Sequence, residues 1–573
     1  MSTIQQLRNK KSNALEFYHH DRHAPQPLTY LAGFKILVTT WFFLTAGCAV
    51  GLHSALEIFW RGLYGVPGPL KENFLFLLLL ITPVPYCAKY LLLTGHRWFI
   101  YQGFLLPGAA SAWYPSRRRR FLIASTLSAT GIIIPTSLIL MNFTYAKSQS
   151  FSLFPWVVSF LGSQGFILAG IGAASVRFEA RSGLGNTNIG DGQPAISPMN
   201  PPALNAVNDG IVITQLSDLH LTGGKKTLEG NASPDPQFEE TLRLFGKHIN
   251  ESDLILITGD ITDSGQPEEW TSFFSHYPSE LLDKTIIIPG NHDINIAGPS
   301  IFHVNDPKLV VRGAKLVRMM MAIRFAQGEK AYVVDENDKI ISLSAFLDRR
   351  LPELVDFLYS NHALDSVVEV DKFAQTPAEQ RFSKHAPLPN RILALWNQIF
   401  PMAIPLNDGF TVYVFDTCKR NLSIVDNAFG ELSASEKLSP LKRFDLLRSS
   451  KNFQKTSSLL AMHHHIVLPI KPKTFGRRIQ ARAMVMLDAP QVYQHLRNIP
   501  QSIVFHGHRH VHYLLSIEDK LQVISAPSTT LGDEFNNQGP GFYQYRITRE
   551  RSKNRLAGVA RYDLPVRAEK PPT

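Results

Sequence analysis

At 573 residues, with 45% hydrophobic and 18% charged residues, the chain has a folded protein's composition and room for more than one domain, which excludes a fully disordered polypeptide. Its net charge of +11 is concentrated: residues 1–180 hold fifteen Lys and Arg against five Asp and Glu, so residues 181–573 sum to only +1. That near-neutral half offers no electrostatic footprint for nucleic acid, and its single cysteine, Cys418, excludes a disulfide framework there and reads as a small core residue.

The chain opens on a basic tail, residues 1–33. Its His19, His20, Asp21, Arg22 and His23 match a metal cluster only in composition and read as solvated. Four stretches follow, at 34–56, 74–93, 121–141 and 154–176, each with the roughly 20 mostly apolar residues that cross a bilayer as a helix. Pro83, Pro85 and Lys89 weaken the second, though membrane helices tolerate proline and a lysine can snorkel. A shorter apolar patch at 98–114, broken by Pro107 and Gly108, reads as interfacial or re-entrant. Arg8, Lys10, Lys11 and Arg22 precede the first stretch, and Arg97 with Arg117, Arg118, Arg119 and Arg120 lie between the second and third. The other loops hold only Arg61, Lys71 and Lys147. The positive-inside rule then predicts an integral, multi-pass membrane protein, with both termini and the C-terminal half on the cytoplasmic side and membrane lipid as a partner.

Residues 34–176 thus read as a helical transmembrane domain of about four spans. Residues 177–208, rich in Gly, Asn and Pro, read as a flexible linker. A folded domain over 209–550 and a tail over 551–573 complete the expected organisation. Within the domain, short β-branched runs at 211–216, 254–258, 286–288, 459–462, 503–505 and 522–525 predict buried strands. Phe238, Leu242, Phe245 and Ile249 recur at helical spacing between the first two. This alternation predicts an α/β domain with helices covering sheet faces.

Polar residues able to bind metal follow nearly every predicted strand. They are Asp218 and His220, Asp260 and Asp263, Asn291, His292 and Asp293, then His463, His464 and His465, then His506, His508 and His510. The carboxyl ends of strands in an α/β sheet share one edge, so five loops deliver carboxylates, an amide and imidazoles to one place. Mixed imidazole and carboxylate donors without thiolate suit Mn, Fe, Co or Zn better than Ca. Asp263 and Asp293 read as hydrogen-bonding supports and His506 as a buried histidine beside the ligands.

In their order, Asp-x-His, Gly-Asp, Gly-Asn-His-Asp, His and Gly-His-x-His resemble the calcineurin-like metallophosphoesterase superfamily. Within it, the likeness is greatest to the cyclic-nucleotide and glycerophosphodiester phosphodiesterase branch. That likeness rests on Gly265-Gln266-Pro267-Glu268-Glu269-Trp270, on Met462-His463-His464 and on Pro540-Gly541-Phe542. It spans residues 210–548 and implies a four-layer α-β-β-α sandwich. It further implies a binuclear centre of divalent or trivalent transition metals, with a metal-bridging hydroxide that attacks a phosphoester. Asp218, His220 and His510 resemble the ligands of one metal, Asn291, His463 and His508 those of the other, and Asp260 the bridge. His292 resembles the histidine that protonates the leaving oxygen. Met-His-His favours His463 as ligand, with His464 or His465 as alternatives.

The chain departs from compact relatives in one respect: about 170 residues separate His292 from His463, and the excess at about 297–407 reads as an insertion that shapes the substrate pocket or meets the membrane. The leading expectation is a metal-dependent phosphodiesterase held at the membrane, acting on a small-molecule or lipid phosphoester. The alternatives are a phosphomonoesterase or pyrophosphatase on a lipid-linked substrate and, outside enzymes, a metal-stabilised membrane receptor or scaffold.

Overall fold

A computed structural model describes residues 3–20, 196–204, 210–226, 232–294, 307–352, 388–406, 409–418, 430–432, 440–467, 486, 489–499, 502–533, 538–550 and 553–565. The stretches at 34–56, 74–93, 98–114, 121–141 and 154–176, with Cys48 and Cys87, lie outside the described residues. The expectation of an integral multi-pass protein with a cytoplasmic catalytic half is overturned. Among the described residues no helix is long and apolar enough to cross a membrane. The longest, over Pro307–Gln327, carries Lys308, Arg312, Lys315, Arg318 and Arg324, too many charges for a hydrocarbon layer.

Helix α1 spans Thr3–His20, within the segment read as a tail. Ala14 and Tyr18, four residues apart on one face, are fully buried, so part of this segment packs instead of trailing in solvent. It belongs to the same compact unit as residues 193–573.

That unit is α/β, built on two mixed sheets. The smaller runs β14-β13-β2-β3-β4, with β2 at Ile211–Leu216, β3 at Leu254–Ile257, β4 at Thr285–Ile287, β13 at Gly541–Glu550 and β14 at Lys553–Asp563. β2, β3 and β4 are parallel, and all four residues of β3 are buried. Continuous apolar runs of this kind mark strands covered on both faces. The larger sheet runs β1-β11-β12-β10-β9-β8-β7-β5-β6. Its centre is parallel: β8 (Phe410–Val414), β9 (Ser457–Ala461), β10 (Ser502–His506) and β12 (Leu521–Ser525). β1 (Ile196–Pro198) and β11 (Tyr513–Ile517) finish one edge, and β5 (Tyr332–Val334), β6 (Ile340–Ser342) and β7 (Met402–Pro405) the other.

The sheets meet where Phe505 of β10 lies 6.0 Å from Tyr545 of β13 and Gln215 donates to the His506 carbonyl. Helix α2 (Asp235–Asn250) seats Phe245 against Phe542 and Tyr562 of the smaller sheet. Helix α3 (Pro267–His276) opens on a capping box between Gln266 and Glu269. The described part of the insertion adds to the domain's framework. Helix α4 (Pro307–Gln327), α5 (Leu343–Asp348) and α6 (Leu388–Gln398) accompany β5, β6 and β7, which extend the larger sheet. The residues read as a C-terminal tail form β14, paired with β13 from Gly541–Asp563 to Glu550–Lys553.

Candidate metal centre

The five loops named from the sequence leave the carboxyl ends of β2, β3, β4, β9 and β10. Since β2–β4 are parallel to one another and β9 to β10, their exits gather at one edge. The backbone there is forced: Asp218, His220, Asp260, His508 and His510 all have φ between 49° and 75°. Non-glycine residues in this left-handed region cost about 1–3 kcal/mol each and cluster at functional sites.

Two donor clusters share this edge. His220 Nε2 and His510 Nε2 are 3.1 Å apart, and Asp218 Oδ1 is 3.6 Å from His510 Nε2. In the second, His463 Nε2 lies 2.9 Å from Asn291 Oδ1, 3.0 Å from His508 Nδ1 and 3.2 Å from Asp260 Oδ2. Asp260 belongs to both neighbourhoods, grouping with Asp218 and His463 and also with His220 and His292. His464 comes within reach of His463 and His508 as well, while its Nδ1 is hydrogen-bonded to Thr417. His465 is buried with neither ring nitrogen hydrogen-bonded.

Outer contacts orient these groups. His463 Nδ1 donates to the Thr258 carbonyl, which leaves Nε2 for the cluster. The Asp218 carboxylate accepts from the His508 backbone N–H and from the Ser217 hydroxyl. Asp293 accepts from the Thr262 N–H, the Thr262 hydroxyl and the Gly290 N–H, tying the Asp260 loop to the Asn291 loop. Asp263 stands 3.6 Å from His220 Nδ1. His506 is fully buried and hydrogen-bonds Tyr513. Cys418 is buried against the Pro289 carbonyl. His292 donates from Nδ1 to the Asp263 carbonyl at 2.8 Å. Its side chain is 17% exposed, against 0% for His463 and Asp218.

Burial opposes ionisation of Asp260, yet His463, His292 and His220 outweigh it and hold the carboxyl well below its usual range. Burial likewise works against a proton on His463, but Asp260 and Asp218 lift its pKa to about 9. Burial lowers His464, His465 and His508 well below the usual histidine value. The cluster therefore sets a firmly ionised Asp260 beside a His463 that holds its proton and beside His464, His465 and His508, which burial keeps neutral.

A model of the calcineurin-like phosphoesterase family matches residues 211–512. The chain belongs to that family. This calcineurin-like phosphoesterase is 33% identical over 94 residues to a 3',5'-cyclic-nucleotide phosphodiesterase from Nostoc sp., a stretch covering 16% of this chain and 35% of that protein. It is 29% identical over 85 residues to a cAMP/cGMP dual specificity phosphodiesterase from Mycobacterium tuberculosis, covering 14% and 27%. The matches thus span about a third or less of either relative. Among solved structures, it is similar to a dimetal phosphatase from Danio rerio at 10% identity and a TM-score of 0.29, covering 62% of this chain and 99% of that one.

The chain thus carries a calcineurin-like phosphoesterase domain, of a family that uses divalent metal ions. Sequence reasoning missed two features around its site. One is the backbone carbonyls that orient His292 and His463, which no side-chain pattern announces. The other is a buried cationic pair, Lys315 and Arg318, whose only signal was two charges three residues apart in an otherwise apolar stretch.

Proposed function

We propose that the chain is a phosphodiesterase with a two-metal site, one ion held by Asp218, His220, Asp260 and His510 and the other by Asp260, Asn291, His463 and His508. The observation carrying this reading is the convergence of these seven side chains into two donor groups that share Asp260. The donors fit transition metals: imidazole, carboxylate and amide, with no thiolate. When bound, such ions supply Lewis acidity and offset charge developing on the phosphoryl oxygens.

The remaining chemistry falls to the chain's own residues. Asp260, already ionised, can serve two ions without first losing a proton. Asn291 is neutral and adds no negative charge that would repel a phosphoester. His292 has its tautomer set by the Asp263 carbonyl, so a protonated ring offers its second N–H from Nε2 to the leaving oxygen. The Asp263 carboxylate lies 3.9 Å from Nδ1. A diester is favoured because both matched relatives are named as cyclic-nucleotide phosphodiesterases.

Purified protein supplied with Mn should cleave bis(p-nitrophenyl) phosphate in preference to p-nitrophenyl phosphate. Asp260→Ala and Asn291→Ala should abolish that turnover. Full activity in both variants would refute the assignment, and a preference for the monoester would refute the diester specificity alone.

A further inference from the structure

We propose that the amino-terminal helix α1 is a positioning element for His292, acting through Tyr18 and Arg318 on the loop that holds the histidine. The inference rests on the proposed role of His292 as proton donor.

The path is continuous. Tyr18 is fully buried, and its hydroxyl donates to the backbone carbonyl of Arg318 on α4. Its ring stacks on Trp270 and Phe274 of α3, with centroids 5.7 and 5.6 Å away. One side chain of α1 thus touches both α3 and α4. Lys11 adds a second tie, donating to the Tyr277 carbonyl just past α3.

Both helices grip the same short segment. α3 begins at Pro267, two residues after Gly265, and Glu269 in its first turn accepts from the Ser264 and Gln266 backbone N–H groups. From α4, the Arg318 guanidinium donates to the Gly265 carbonyl at 2.9 Å. Gly265 has φ +67°, and a Cβ there would collide with the Asp293 carbonyl oxygen and come within 3.2 Å of Lys315 Cδ. The Gly265 backbone is therefore pressed directly between α4 and the residue after His292. Two residues earlier, the Asp263 carbonyl accepts the His292 Nδ1–H. A shift of α4 or α3 moves Gly265, and with it the acceptor that sets the orientation of His292. Close-packed interiors pass such displacements on because they cannot absorb them.

A brace that acts on the proton donor has a signature that a generally stabilising contact lacks. Protonation of the leaving oxygen matters greatly when the leaving group is a poor one and little when it is p-nitrophenol. In the full-length protein loaded with Mn, Tyr18→Phe, which removes only the hydroxyl, and Arg318→Met should be compared with His292→Ala. The substrates are aryl phosphodiesters with leaving phenols graded from p-nitrophenol to phenol.

We expect both variants to lose about tenfold with phenol and less than about twofold with p-nitrophenol, a fraction of the 10²–10⁴-fold range of general-acid catalysis. His292→Ala should show the same selectivity more strongly, and the bound metal should be unchanged in all three. An equal loss across the series, or a loss of metal, would overturn the inference. So would wild-type behaviour of both Tyr18→Phe and Arg318→Met beside a steepened His292→Ala, which would leave the acid role standing. A His292→Ala series without steepening would remove the acid role and the inference together. If Arg318→Met fails to fold, Tyr18→Phe decides alone.

Discussion

His220 Nε2 and His510 Nε2 face each other at 3.1 Å although the residues stand 290 positions apart. Two imidazole nitrogens this close either share one proton or face each other lone pair to lone pair or N–H to N–H, and a cation between facing lone pairs relieves their repulsion. Bound metal should therefore stabilise the fold. A ligand at 100 to 1,000 times its dissociation constant adds about 3–4 kcal/mol. Mn added to stripped protein should raise the thermal midpoint and restore turnover, and His510→Ala should blunt both effects. An equal midpoint with and without Mn would count against a metal at this pair.

The glycines of the site answer a steric demand. A Cβ on Gly290 would overlap the Asp260 backbone nitrogen and carboxylate, and one on Gly507 would overlap the Ser217 hydroxyl and sit 2.6 Å from Asp218 Oδ2. Overpacking of this kind costs about 1–3 kcal/mol, and misplacing a reacting group by an ångström can cost roughly 100-fold in rate. Gly290→Ala and Gly507→Ala should lower turnover by about that factor. Gly246 lies in the middle of α2, and a methyl group added there would meet nothing within 4 Å. Gly246→Ala should therefore stabilise by roughly 0.5–1 kcal/mol without touching activity. Thermal midpoints and initial rates of the three variants test the contrast.

Which parts of this could be read from the sequence follows from where the information lies. β2 runs from Ile211 to Leu216 as its β-branched run predicts, its two polar residues, Thr214 and Gln215, being buried but hydrogen-bonded. The loops after β2, β3, β4, β9 and β10 were legible because polar residues interrupt such strands abruptly. α1 was not, since Ala14 and Tyr18, with partly buried Leu15 and Phe17, form its packed face among Arg8, Lys10 and Lys11. β14 was missed because Lys553–Asp563 is an edge strand, half polar, whose pairing partner lies just before it. The membrane reading rested on apolar length, and among the described residues no helix carries it.

The pair of Asp260 and His463 gives the metal-free protein a definite pH response. His463 has a folded pKa of about 9 against about 6.5 unfolded, so its contribution to stability is full below about 6.5 and lost as pH rises through 9. Asp260 has the opposite sign: its depressed pKa contributes above the usual carboxylate value near 3.8 and is lost as pH falls. Metal binding must expel the His463 proton, so apparent affinity should rise about tenfold per pH unit up to about 9. Calorimetric titration with Mn at pH 6, 7 and 8 measures it. A flat affinity would show that His463 carries no such proton.

The C-terminal hairpin sets a boundary that can be tested directly. β14 covers β13 along its length, Asn554 donates across to the Ser458 carbonyl of the other sheet, and the Leu564 N–H returns to the Pro540 carbonyl. Removing residues 551–573 would leave β13 as an open edge ten residues long, bearing Phe542, Tyr543 and Tyr545. Long uncovered edges of that kind recruit other chains. A chain ending at Glu550 should therefore be recovered mainly as aggregate, whereas one ending at 565 should match the full-length protein in soluble yield and thermal midpoint. Equal behaviour of the two truncations would show that β14 is dispensable to the fold.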